Sequence, residues 1–169
     1  GMTAKYKPIN NLNLYGQLMI DDLNLKKLSA KGYQGNTWGF QLGSKYFNTF
    51  GVQNLNLQLE YNQVRPYAYA HQNSLQSYTH YNQSIAHPLG ANFREVVGFI
   101  NYRYRHFFAE WECLYAFTGL DTNNTNWGQN VFASQLNAST GYHSENNKIA
   151  QGVKTYLFET GIRAYYLFN

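Results

Sequence analysis

The sequence predicts an all-β protein, an antiparallel up-and-down meander of about six long strands. Three observations carry that expectation. Apolar and polar residues alternate with period two along most of the chain, which gives each strand two unlike faces. Helical periodicity is hard to find. The connections between the alternating segments are by turns long and short.

The first alternating run sets Leu12, Leu14, Leu18 and Ile20 against Asn13, Tyr15, Gln17 and Asp21. The second sets Trp38, Phe40, Leu42 and Tyr46 against Gln41 and Lys45. In the third, NLNLQLEY, Leu55, Leu57, Leu59 and Tyr61 share one face and Asn54, Asn56, Gln58 and Glu60 the other. The fourth opposes Val96, Ile100, Tyr102 and Tyr104 to Asn101, Arg103 and Arg105. The fifth opposes Phe107, Ala109, Trp111, Cys113, Tyr115 and Phe117 to Glu110 and Glu112. The last collects Tyr156, Phe158, Ile162, Ala164, Tyr166 and Phe168, with Glu159 and Arg163 on the reverse.

Parity constrains the pairing. Apolar positions are even in the fourth run and odd in the fifth, so cross-strand partners sum to an odd number. A tight turn near Arg105 and His106 supplies that register and sets Arg103 diagonal to Glu110. The second and third runs obey the same parity around Asn48 to Gln53.

The gaps Asp22 to Thr37, Asn62 to Arg94 and Thr118 to Gly152 are long, and the two between them are short. In a meander, alternate connections emerge on the same side, so the three long loops share one end of the sheet. Outer-membrane barrels have this asymmetry. Runs near ten residues also fit a tilted membrane strand of about 9–11 residues better than a soluble one of about 5–6. The fold is therefore expected to be part of an outer-membrane-type β-barrel, its polar face toward the lumen and its apolar face toward lipid. Six strands fall short of the eight or so of the smallest barrels, and unpaired strand edges are candidates for self-association. The alternative is a soluble lipocalin-like barrel that encloses a small apolar or lipid-like ligand against Trp38, Phe40, Trp111 and Phe158.

Composition agrees with a special surface. Charged residues make up 13% of the 169 residues and aromatic residues 18%, against about 25% charged in ordinary domains. Amide, hydroxyl and tyrosine groups take the place of charge, which suits contact with sugars, lipid headgroups or a polar lumen. The net charge of +4 includes no basic run, so a nucleic-acid surface is not expected. Cys113 has no second cysteine with which to form a disulfide or a metal motif. No apolar core follows the lysines of GMTAKYKPINN, so this stretch does not resemble a signal peptide.

The succession LYGQLMIDDLNL, NTWGFQLGSKYF, NLNLQLEYNQVRPYAYAH, SYTHYNQSIAHPLGANFREV and GLDTNNTNWGQNVF resembles the C-terminal part of the Wzi-like capsule-assembly family. It is most similar to the outer-membrane gliding-motility proteins of that group in Bacteroidetes. VRPYAYAH and AHPLGANFRE are the most specific elements of the likeness, which runs from about Leu14 to the C-terminus. The resemblance implies a location in the cell outer membrane and surface loops that bind or help assemble exported polysaccharide. Capsule attachment, adhesion or gliding motility would be the setting, with outer-membrane lipid and surface polysaccharide as partners.

By that resemblance, the segment QVRPYAYAHQNSLQSYTHYNQSIAHPLGANFRE is a surface loop, and its chemistry suits carbohydrate. Tyr67, Tyr69, Tyr78 and Tyr81 offer flat apolar faces, and Arg65, His71, His80, His87 and Arg94 offer donors to hydroxyls or carboxylates. The other reading is that these side chains pack the loop onto itself or plug the lumen. The three histidines have no carboxylate near them in sequence and match no short metal motif, so no metal or other cofactor is expected. In GLDTNNTNWGQN, Asp121 and Trp127 are candidate ligand contacts; the EF-hand spacing is absent and an Asx-rich turn explains the asparagines. Lys45, Glu60, Arg103, Glu110, Glu112, Glu159 and Arg163 fall on polar strand faces as mutually neutralising ladders. No catalytic constellation is present, and no enzyme activity is expected.

Overall fold

The computed structural model describes residues 1–73, 76–81 and 83–168. The strands are β1 (Met2–Ile9), β2 (Leu12–Asp22), β3 (Thr37–Tyr46), β4 (Leu55–Val64), β5 (Thr79–His80), β6 (Gln83–Ser84), β7 (Phe93–Tyr104), β8 (Phe107–Leu120) and β9 (Val153–Tyr166). Seven of them form one antiparallel meander in the order β1-β2-β3-β4-β7-β8-β9. The remaining pair, β5 and β6, makes a small hairpin inside the loop after β4. The sheet is open, with β1 and β9 as its edges.

The expected count of six long strands is corrected to seven. β1 escapes a sequence reading because its alternation is faint: Met2, Ala4 and Tyr6 alternate with Thr3, Lys5 and Lys7, and Pro8 interrupts the pattern. The register with β2 shifts between Tyr6 and Ile9, where the proline cannot donate to the ladder. Such a break is tolerated on an edge. Pairing with β2, rather than local preference, makes this segment a strand.

Elsewhere the register follows the parity of the sequence. Tyr104 pairs with Phe107 across a two-residue turn, whose Arg105 adopts the left-handed conformation at φ 52°. Arg103 pairs with Phe108 and Asn101 with Glu110, which leaves Arg103 diagonal to Glu110. Gly39 to Tyr46 pair with Leu57 to Val64 in the same odd-sum register. The long connections follow β2, β4 and β8 and share one end of the sheet; the short ones share the other.

The apolar face is the exposed one. Leu42 and Leu59 are each 57% exposed, and Phe158 and Ile162 reach 66% and 80%. Trp38, Phe40, Trp111 and Phe158 fall by register on that outward face, with Phe40 also reaching the wall of the cavity at the loop end. The whole chain exposes 10869 Å², whereas a compact protein of 19.6 kDa exposes about 8,600 Å².

Burial is concentrated at the loop end, on the polar face. Val64, Ala68, Ala91 and Phe93 form the core cluster, with Met19, Tyr69 and Leu89 packed against it. The loops after β4 and β8 fold over this end and hold much of the buried surface.

Candidate functional site

The loop after β4 turns back over the polar face because its first residues are fixed at several points. The Arg65 amide donates to the Trp38 carbonyl at 3.0 Å. Its guanidinium donates to the Asn36 carbonyl at 2.8 Å and the Tyr33 carbonyl at 3.4 Å. Burial holds that guanidinium below its ordinary pKa. Tyr67, next but one, is 1% exposed. Its amide donates to the Gly128 carbonyl at 2.9 Å, and its hydroxyl donates to the Asn126 carbonyl at 3.1 Å beside Thr140 Oγ1. The loop after β8 thus grips the loop after β4.

Buried amides supply most of that grip. Asn92 Nδ2 donates to the carbonyls of Gly119 and Gln151 at 3.0 and 2.8 Å, and the Gln151 amide donates back to Asn92 Oδ1 at 3.2 Å. Gln34 Nε2 reaches the Gln135 carbonyl at 3.2 Å, and Gln135 Nε2 donates to the Ala70 carbonyl. An amide carries both donors and an acceptor, so it can satisfy loop backbone that has no ladder partner. Gln34, Asn92, Asn126 and Gln135 are missing from the sequence-level candidates; a high Asn and Gln content is the sole hint, and it points to the surface.

Two histidines tie the loop to the sheet. His87 Nε2 lies 2.7 Å from Glu95 Oε1, and its Nδ1 accepts from the Leu89 amide at 3.2 Å. The acceptor role of Nδ1 puts the proton of the neutral ring on Nε2, which donates to the carboxylate. Asn62 Nδ2 also donates to Glu95, at 2.8 Å. At the other side of the loop, His71 Nε2 is 3.4 Å from Asp21 Oδ1, while Asp21 Oδ2 accepts from the Tyr69 amide at 2.9 Å. The carboxylate partners that linear spacing does not supply come from β2 and β7.

Between these ties lies a cavity of about 420 Å³, within the range of about 300–1,000 Å³ typical of small-molecule sites. Gln17, Gln41 and Asn62 form its polar side, and Tyr69, Tyr78 and His87 close it from the loop. The Tyr69 and Tyr78 rings meet at 5.4 Å between centroids. Burial, then the nearby Asp21 carboxylate, pushes the Tyr69 phenol above its ordinary pKa. Amides beside tilted aromatic rings can bind a polar ring with an apolar face.

Comparison with known proteins yields no match. No family model, curated protein or solved structure pairs with this chain.

Of the residues singled out in the sequence, the structure brings Tyr69, Tyr78 and His87 to the cavity, with His71 beside it at Asp21. It does not bring the others there. Tyr67 is buried in the loop cap and Arg65 is half-buried there, with its guanidinium spent on the Asn36 and Tyr33 carbonyls. His80 and Tyr81 are exposed at the hairpin tip, with rings in contact at 4.3 Å. Asp121 accepts from the amides of Trp127 and Asn130 at 2.5 and 2.9 Å, so both its oxygens brace their own loop. Trp127 packs beside Gly152. Arg94 belongs to β7, on the apolar face, rather than to the loop. His71, His80 and His87 do not converge, and among the described residues no three potential ligands gather as a metal site.

A smaller polar recess lies farther along the same face, lined by Lys5, Asn13, Tyr15, Gln41, Lys45 and Glu60. Glu60 accepts from the Tyr15 hydroxyl at 2.5 Å and from Gln41 Nε2 at 2.7 Å. Across the sheet, Arg163 pairs with Glu110 at 2.6 Å and Glu112 at 3.2 Å, the neutralising arrangement expected of charges on one polar face.

Proposed function

We propose that this chain is a segment of an outer-membrane β-barrel that holds long loops at one end to bind surface polysaccharide or help assemble it. The observation that carries this reading is the outward apolar face, exposed along β2, β3, β4, β7, β8 and β9, strands of 10 to 14 residues. Strands of that length cross a bilayer when tilted, and a soluble monomer rarely leaves so broad an apolar surface in water. The three long loops at a single end support the same reading. A spanning sheet must have its edges paired, so in this reading β1 and β9 meet further strands that close the barrel.

In this reading the polar face lines the lumen and the loops after β4 and β8 cap it. A saccharide unit would enter the cavity beside Tyr69 and Tyr78, its C–H face on the rings and its hydroxyls on Gln17, Gln41 and Asn62. The cap is ordered by its own hydrogen bonds, so little chain entropy is lost on binding. The protein binds and displays without turnover, in the service of capsule attachment, adhesion or gliding at the cell surface.

The test is a glycan array on the detergent-solubilised protein and its Tyr69→Ala and Asn62→Ala variants. The reading expects binding to neutral or anionic polysaccharide, weakened about tenfold or more by loss of a stacked ring. Silence toward every polymer, with the loops folded, would reject the glycan-binding part.

A further inference from the structure

The apolar face carries almost no charge, and its two cations are placed alike. By register, one side of the sheet holds Trp38 to Tyr46 on β3, Leu55 to Gln63 on β4 and Phe107 to Gly119 on β8 at alternate positions. Among β3, β4, β7, β8 and β9, charge appears on that side only at Arg94 and Lys154. Each lies within the first two residues of its strand, at the loop end. Asp22, which ends β2 beyond a register shift and pairs with Thr37, lies three strands away from β7.

Arg94 and Lys154 flank a single aromatic patch. Arg94 pairs with Phe117, and Phe117 pairs with Tyr156, two residues beyond Lys154. The Phe117 and Tyr156 rings stack at 4.8 Å and 20°. With strands about 4.8 Å apart and a rise of about 3.4 Å per residue, the two cations have Cα atoms about 12 Å apart. Both side chains are exposed, and among the described residues neither makes a hydrogen bond, ion pair or ring contact.

We infer that Arg94 and Lys154 form a clamp for the anionic head of an acyl-chain lipid whose tails lie on the apolar face, the head being a phosphorylated sugar of the outer leaflet. Charge complementarity and continuity with the apolar face favour this occupant. Two cations at that separation suit a head with two phosphates, the stacked rings lie under its sugar, and the face below accepts its chains. Long basic side chains at this level hold their charge at the interface while their stems lie on apolar surface. The inference rests on the membrane reading and adds the lipid class and the residues that select it.

The test is native mass spectrometry of the protein in neutral detergent micelles. The probes are a bisphosphorylated acyl glycolipid, the same lipid after dephosphorylation, and inorganic phosphate. The clamp predicts one tightly retained phosphorylated lipid and much weaker retention of the dephosphorylated form. It predicts no comparable retention of inorganic phosphate. The double variant R94Q/K154Q should bind the phosphorylated lipid about thirtyfold more weakly, while K26Q/K148Q, which removes exposed loop lysines, should not. Equal loss in both double variants, equal binding of the dephosphorylated lipid, or equal retention of free phosphate would overturn the clamp. A protein that enters neutral micelles with no lipid preference rejects the clamp alone; one that stays out of all micelles rejects the membrane reading with it.

Discussion

His87 Nε2 lies 2.7 Å from Glu95 Oε1, joining the loop after β4 to strand β7 across the polar face. Glu95 is 4% exposed, and Asn62 is its other donor. Replacing His87 with Ala leaves a buried carboxylate short of one partner, at a cost of about 1–3 kcal/mol. Chemical denaturation should show that loss, and hydrogen exchange should rise over residues 83–91. Glu95→Gln, which keeps an acceptor for the histidine, should lose less. A larger loss in Glu95→Gln than in His87→Ala would contradict the assignment.

Gly128 sits at φ 89°, and a Cβ there would lie 2.5 Å from the Tyr67 amide nitrogen. Gly141 has nearly the same conformation, at φ 87°, with nothing within 4 Å of its Cβ. Alanine at 141 should therefore report backbone strain alone, about 1 kcal/mol. Alanine at 128 should cost about 1–3 kcal/mol more, because Tyr67 must move off the Gly128 carbonyl. Equal losses at the two sites would show that the grip between the two loops is absent.

Asn92 is fully buried and uses both ends of its amide. Asn92→Asp keeps the shape but turns the donor toward two carbonyls into an acceptor. The expected cost is about 2–4 kcal/mol, larger than that of an exposed control such as Asn123→Asp. Thermal unfolding followed by near-ultraviolet circular dichroism checks it.

Burial raises the Tyr67 and Tyr69 phenols above the usual value of about 10. The sign follows directly. The folded state favours the neutral phenol, so the stability contributed is fully present below about pH 10 and is lost as pH rises through the raised values. Absorbance titration at 295 nm should place Tyr67 and Tyr69 among the late-titrating phenols of the 16 tyrosines, their ionisation coupled to loosening of the cap. The Y67F/Y69F variant should titrate two fewer late phenols than the parent protein; an unchanged late amplitude would contradict the burial.

The strands are legible where their cause is local. NLNLQLEY alternates because each residue meets one of two media, and β4 follows it to Val64. Strand parity and the tight turn at Arg105 and His106 then set the register of β7 and β8 with no contact known. β1 is not legible, since its pairing partner and not its own pattern makes it a strand. Arg94 reads as a loop donor because β7 begins at Phe93, where the tail of a polar segment becomes a buried core residue. The loop cap is legible as a long aromatic segment but not as an architecture. Its amide-rich composition shows only that such ties are chemically available. The particular partners, Gln34 with Gln135 and Asn92 with Gln151, are distant in sequence and fixed by tertiary approach alone.

The most direct measurement is the environment of a nitroxide label placed in turn at positions 57, 58, 59 and 60 of β4, in a Cys113→Ser background reconstituted into bilayers. The account predicts that labels replacing Leu57 and Leu59 collide with oxygen and are shielded from an aqueous nickel complex, and that labels replacing Gln58 and Glu60 do the reverse. Aqueous access at 57 and 59, or no alternation at all, would contradict a lipid-facing apolar sheet.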